Sequence, residues 1–144
     1  MKKILLMIVI SIITSMTYGQ IKETVTTAKN INSKVKLQIY YFHITNRCHT
    51  CTSIEAELRK DLDSLFAKDL NADVLRFAAL NCEAKENEVL AKKYDAYGAT
   101  LAFTIYKDGK ELKKIDLSNW AFSKVNKPEV FAAELKQKIE EIIR

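Results

Sequence analysis

The stretch YYFHITNRCHTCTSIEAEL, residues 40–58, decides how the rest of the chain is read. It opens on an aromatic run, Tyr40-Tyr41-Phe42, of the kind a buried strand carries. It then places Cys48 and Cys51 three residues apart, with His49 and Thr50 between them and Arg47 in front. Behind the second cysteine, Ile54 and Leu58 begin a four-residue apolar spacing. A strand ends here, a helix begins, and the cysteine pair falls at the junction. Three readings stand open at this point: a redox pair, half of a metal site, or a chance spacing.

Working outward, VKLQIYYF (35–42) alternates and then turns continuously apolar, as a strand buried on both faces does. From Cys48 to about Leu70 the apolar positions Ile54, Leu58, Leu62, Leu65, Phe66 and Leu70 draw one helical stripe. DVLRFAALN (73–81) reads as a second strand and EAKENEVLAKKYD (83–95) as a shorter helix. TLAFTIYK and KELKKIDL flank Asp108-Gly109, a strong signal for a two-residue hairpin turn. A looser stretch holding Trp120 leads to Pro128, placed where a helix's first turn tolerates proline, and Phe131, Leu135, Ile139 and Ile142 follow at helical spacing. The crossover helix makes the first two strands parallel, and the last two form an antiparallel hairpin.

The first residues, MKKILLMIVISIITSMTYG, carry two lysines, an apolar run and small residues in the order of a secretory signal peptide. The run is short for a membrane span, which needs about 20 apolar residues. Cleavage after Gly19 is expected, giving an exported protein, periplasmic or secreted, that meets the membrane only if residues 1–19 stay uncleaved. Residues 20–33 are polar and read as a leader or loose edge element; the remainder is one domain's worth of chain. The formal charge of +5 includes Lys2 and Lys3, and the other lysines are scattered rather than gathered on one face. No nucleic-acid partner is expected. Export into an oxidising compartment permits disulfides, and three cysteines leave one over.

The placement of the pair gives it chemistry. Free amide hydrogens at a helix N-terminus stabilise an anion, so a thiol at Cys48 loses its proton more readily. Arg47, and His49 when protonated, push the same way. Cys51 lies one turn further on, where the helix begins to cover it, and a pair so spaced can close a disulfide with little backbone movement. Cys82 is expected at the C-terminal end of the second strand, on the same sheet edge. It reads either as a third exchange partner or, more plainly, as a small buried hydrophobe.

The segment order and the position of the cysteine pair resemble the thioredoxin-like superfamily over roughly residues 33–144, and LAKKYDAYGATLAFTIYKDGKEL (90–112) is similar to the approach to that family's terminal hairpin. Residues 40–58 further resemble a group of exported thioredoxin-like proteins, the nitrophenyl-compound nitroreductase subunit (ArsF-like) family. The resemblance implies a three-layer α/β/α fold around a four- to five-stranded mixed sheet, over residues 34–144. It also implies Cys48 as attacking thiolate and Cys51 as resolving thiol, acting on a protein thiol or disulfide or on a dedicated redox partner, with no cofactor. Three departures bear on the carry-over. The family's buried acid falls at Phe42, with His43 beside it as a substitute or as a merely structural residue. The cis-proline's place goes to Thr100, or to Leu101 if the register slips. The tryptophan before the first cysteine is Arg47.

Two rival readings accompany thiol–disulfide exchange. One is metal binding or delivery by Cys48 and Cys51 with His49 or Cys82, although a closed zinc site wants four ligands. The other is a docking subunit with a static disulfide, anchored by Trp120 or Tyr97, each of which reads first as a core aromatic. The three glycines (Gly19, Gly98 and Gly109) make no phosphate-cradling loop, and neither a Gly-x-Ser-x-Gly elbow nor a His-Glu-x-x-His helix occurs.

Overall fold

Leu37–His43 forms β1, the strand around which the sheet is built. The computed structural model describes residues 20–144, so the expected signal peptide lies outside the described residues. Six of the seven β1 residues are buried because both faces are covered. Its odd-numbered side chains, Leu37, Ile39 and Tyr41, enter one apolar cluster with Ile54, Leu58, Phe131 and Leu135; Tyr40 and Phe42 enter a second with Ala78, Ala91 and Ala96.

The remaining elements are α1 (His49–Asn71), β2 (Leu75–Asn81), a 3-10 turn (Lys85–Asn87) leading into α2 (Glu88–Lys93), β3 (Thr100–Lys107), β4 (Lys110–Asp116), α3 (Ser118–Lys124) and α4 (Pro128–Ile143). The sheet order is β2-β1-β3-β4, with β1 parallel to β2 and β3 antiparallel to both β1 and β4. Helices α1, α3 and α4 cover one face and α2 the other, and the leader contributes to both, with Ile21 packed against the first cluster and Val25 against the second. This is the expected three-layer mixed-sheet architecture at the four-strand end of its range. The register sets His43 opposite Asn81 and Phe42 opposite Thr100, so the ends of β1 and β2 and the start of β3 share one sheet edge. Asp108 (φ 50°) and Gly109 (φ 74°) make the hairpin turn with both central residues left-handed, which accounts for the glycine at 109.

Residues 20–33 do not form a fifth strand. They lie along the free edge of β2, where the Thr24 amide donates to the Phe77 carbonyl at 2.9 Å and Glu23 accepts from the Ala79 amide at 3.2 Å. One backbone bond and one carboxylate thus shield an edge that would otherwise invite pairing. The leader also accounts for Gln38, a polar residue fully buried in the central strand: the Thr26 amide (3.1 Å) and hydroxyl (2.7 Å) both donate to its Oε1. Arg76, itself buried, clamps the same segment. Its guanidinium donates to both carboxylate oxygens of Asp73 (2.6 and 2.7 Å), to Thr26 Oγ1 (3.1 Å), and to Asn30 through the side-chain oxygen and the carbonyl (3.0 Å each).

Four details differ from the sequence expectation. The stretch around Trp120 is helical: α3 is only seven residues long and buries Ala121 within it, too little for a periodic signal. Its start is fixed by tertiary contacts instead, since the Leu117 amide donates to the Leu101 carbonyl and the Leu101 amide donates to Ser118 Oγ. The second helix is shorter than 83–95 and begins as a 3-10 turn. On α1, Leu65 turns outward and Asp61 is buried in the stripe. On α4 the stripe closes on Ile143 rather than Ile142, keeping a strict four-residue step from Phe131.

The clamp yields a stability prediction. Arg76→Met, which keeps the apolar stem and deletes the charge, should lower unfolding stability by about 2–4 kcal/mol in a urea titration, with faster hydrogen exchange at the Thr24 and Thr26 amides. Arg76 holds the Asp73 carboxyl below its usual range. The clamp therefore stands at full strength above about pH 4 and weakens as acid protonates Asp73, so the cost of the substitution should shrink in acid. An unchanged urea midpoint at neutral pH would contradict this account.

Candidate functional site: a disulfide at the start of the first helix

Four residues, 44–47, separate the end of β1 from the Cys48 cap of α1. They are pinned from the neighbouring strand end: Glu83 accepts from the Thr45 amide at 2.8 Å, and Asn81 Nδ2 donates to Thr45 Oγ1 at 3.0 Å. Cys48 follows as the N-cap of α1, with extended backbone angles (φ −74°, ψ 162°). Its Sγ accepts the Cys51 backbone N–H at 3.2 Å. A sulfur here does what serine or aspartate oxygens do at other helix starts, meeting an amide with no partner within the helix. The first turn of α1 holds no acidic residue to oppose a negative sulfur. Cys48 and Cys51 form a disulfide with their Cα atoms 5.2 Å apart, inside the usual range for a bridge. Cys48 is exposed and Cys51 half-buried.

Beneath the pair, Tyr41 reaches up from β1 and its hydroxyl donates to the Cys51 carbonyl at 2.8 Å. Burial, partly offset by Arg47, pushes its phenol up to about 12, so it stays a donor throughout the neutral range. Arg47, expected beside the thiol, is drawn to other partners. Its Nη2 lies 2.6 Å from Glu55 and 3.4 Å from the Cys51 carbonyl, with the guanidinium carbon 5.9 Å from the centre of the Tyr41 ring. Glu55 also accepts from Arg59 Nε at 2.7 Å, and Arg59 pairs in turn with Glu23 of the leader. Burial pushes the Glu55 carboxyl up, but Arg59 and Arg47 together outweigh it and hold it below its ordinary value.

Glu55 is the residue the sequence reading missed. It stands four residues after Cys51 and four before Arg59, and that double i, i+4 spacing was the available signal.

The other candidates divide by position. His49 is the exposed first residue of α1, and its carbonyl accepts from Thr52 Oγ1 (2.7 Å) and Ser53 Oγ (2.9 Å). Thr50 is half-buried in the same turn. His43 ends β1 with Nδ1 3.0 Å from the Ile44 carbonyl. Thr100 opens β3 opposite Phe42, and its hydroxyl donates to the Gly98 carbonyl at 3.3 Å. The described residues contain no cis peptide bond. Phe42, in the buried-acid position, is fully buried and packed near Tyr40 and Tyr94.

Cys82 lies one residue past β2, its amide donating to the His43 carbonyl at 2.8 Å. Its side chain packs with the Tyr40–Phe42 cluster, on the face away from Tyr41 and α1. Burial, aided by the charge of Glu83, pushes its thiol up. Trp120 stacks on Phe131 at 4.8 Å and donates to Glu134 at 2.7 Å, as a core-edge aromatic. Tyr97 departs from the core reading: it is 80 % exposed. Among the described residues, no three His, Cys, Asp or Glu side chains gather where they could hold a metal ion. None of the described helices is long and apolar enough to cross a membrane.

No protein-family model matches the chain, and no curated protein does. Solved structures similar to it include mitochondrial thioredoxin 3 from Saccharomyces cerevisiae in its oxidised form, at 22 % identity over 64 % of this chain and 77 % of that one, with a TM-score of 0.40. Thioredoxin O2 from Arabidopsis thaliana, also oxidised, is similar at 15 % identity over 79 % and 81 %, with a TM-score of 0.47. Thioredoxin from Fasciola hepatica is similar at 22 % identity over 65 % and 82 %, with a TM-score of 0.38. By its own strand order, crossover helix and the disulfide at that helix's start, the chain has the thioredoxin-like fold.

Proposed function

We propose that the protein is a thiol–disulfide exchange protein acting on a protein partner, with Cys48 as nucleophile and Cys51 as resolving thiol. The observation that carries this reading is the Cys51 N–H directed at Cys48 Sγ on an exposed helix N-cap. The same donor that meets the sulfur of the disulfide stabilises a thiolate when the bridge opens.

With the pair reduced, the Cys48 thiolate attacks one sulfur of a partner disulfide. A mixed disulfide forms and the partner's other sulfur leaves as a thiolate. Cys51, having given up its proton, then attacks Cys48 Sγ, regenerates the Cys48–Cys51 bridge and releases the second partner sulfur. Two electrons have passed to the partner; run in reverse, the same steps oxidise a partner dithiol. Helix placement favours the reduced form of the pair and moves it toward the oxidising end of the scale. Export, read from residues 1–19, supports a setting in which such exchange serves secreted or periplasmic proteins.

A dedicated partner, as in the nitroreductase-subunit resemblance, is favoured by one observation. Tyr97 is exposed in the loop that leads into Thr100, next to Phe42 at the end of β1, and so lies toward the same sheet edge as the disulfide. Exposed tyrosine is a frequent anchor at protein interfaces.

Cys48→Ser should abolish disulfide reduction in an insulin assay, whereas Cys51→Ser should accumulate a mixed disulfide visible on non-reducing gels and released by dithiothreitol. Undiminished activity in Cys48→Ser would end the proposal. In the reduced protein at neutral pH, iodoacetamide should label Cys48 at least about tenfold faster than Cys82, read by mass spectrometry, and Cys82→Ser should leave exchange unchanged. Equal labelling, or exchange lost on removing Cys82, would contradict its placement as a bystander.

A further inference from the structure

Arg47 immediately precedes the nucleophile, and its charge is the obvious means of making that thiol acidic. In the structure the charge is already matched. Arg47 pairs with Glu55 at 2.6 Å, Glu55 is shared with Arg59 at 2.7 Å, and Arg59 is matched by Glu23 from the leader. Two cations and two anions alternate, so the row as a whole carries no net charge. We propose that Glu55 withholds Arg47 from the Cys48 thiolate and so sets the acidity of that thiol: Glu55 is a positioning residue that acts through Arg47. The inference deepens the exchange reading and rests on it for its meaning, though not for its test.

Three observations carry it. Glu55 is the first acidic residue of α1 and lies one turn beyond Cys51 on the same helix face, so it is the carboxylate that α1 brings nearest the pair. Its contact with Arg47 is a close ion pair but not a well-directed hydrogen bond, because Glu55 Oε2 meets no aligned donor and the buried Arg47 Nε meets no acceptor. Arg47 therefore has bonding capacity left over, and Glu55 keeps a second, well-aligned partner in Arg59 when Arg47 moves. Finally, Arg47 is adjacent in sequence to Cys48, so the thiolate is the anion that lies nearest to it along the chain. The remaining titratable or charged groups around the pair are Tyr41 and His43 from β1, His49 on α1, and Glu83 beside the preceding loop. Of these, Glu83 is committed to the Thr45 amide and Tyr41 to the Cys51 carbonyl.

The test is the pH dependence of Cys48 alkylation in the reduced full-length protein, followed on the Cys48 peptide by mass spectrometry. Glu55→Gln, which keeps the shape and deletes the charge, should raise the ionisation constant of Cys48 about tenfold, a fall of one pKa unit. The potential of the pair should rise by up to about 30 mV. Arg47→Gln should lower that constant far less in the otherwise native chain, where Glu55 holds the side chain, than in the Glu55→Gln background, where Arg47 is free to turn to Cys48. Arg47→Gln added to Glu55→Gln should reverse the tenfold gain. An unchanged constant in Glu55→Gln overturns the proposal. So does a gain that persists without Arg47, since Glu55 would then act by its own charge. Should Glu55→Gln not fold, the Arg47→Gln single variant still decides, because a tenfold loss of acidity there means that Arg47 already serves the thiolate. Alkylation needs no partner protein, so loss of the exchange reading through an active Cys48→Ser is distinguishable from failure of these shifts.

Discussion

A sulfur at the N-cap of α1 accepts an amide hydrogen from Cys51, and the chemistry follows from holding that geometry. The helix has to begin at His49 and nowhere else. Its start is fixed from three sides: by the loop pinned through Thr45, by the Tyr41 hydroxyl on the Cys51 carbonyl, and by Ile54, Leu58, Leu62 and Phe66 buried along α1. A helix cap is worth about 1 kcal/mol and the field of a helix terminus about 0.3–1 kcal/mol, while one pKa unit corresponds to about 1.4 kcal/mol. Cap and field together thus supply roughly one unit of acidity. Anything larger has to come from a charged side chain, which makes the pairing of Arg47 the adjustable part of the site.

That pairing ties the site to the leader. Glu23 caps the exposed Ala79 amide at the edge of β2 and also matches Arg59, whose other partner is Glu55. The polar stretch before β1 accordingly shields a sheet edge, satisfies the buried Gln38 and closes the row of charges that ends beneath Cys51. Arg76 holds this stretch in place from the second strand.

The elements legible in the sequence were those whose signal is local and repeated. β3 matches the stretch 100–107 because alternation and the Asp108-Gly109 turn fix its end, whereas the pairing with β4 set at the turn holds only to Tyr106 and shifts by one residue beyond it. The site was legible as far as the cysteines, because a three-residue spacing at a strand–helix junction puts both thiols within one helical turn. What the sequence hid was tertiary. α3 is too short to show a period and is anchored through Leu101, which is 16 positions from Leu117 in the numbering. Asp61 sits where the stripe calls for an apolar residue. Tyr97 looks like any core aromatic until the loop carries it outward. Arg47 neighbours Cys48 in sequence, whereas in the fold its partner is a carboxylate two turns along the helix. Charge adjacent in sequence is not charge available in space, and side-chain pairing decides between the two.

The most direct measurement of the central claim is the apparent pKa of Cys48 in the reduced native protein, obtained from its alkylation rate as a function of pH. The account predicts ionisation at or below about 7.5, within the range of thiols at helix N-termini. A value of about 8.5 or higher, that of a thiol on an unstructured peptide, would contradict it.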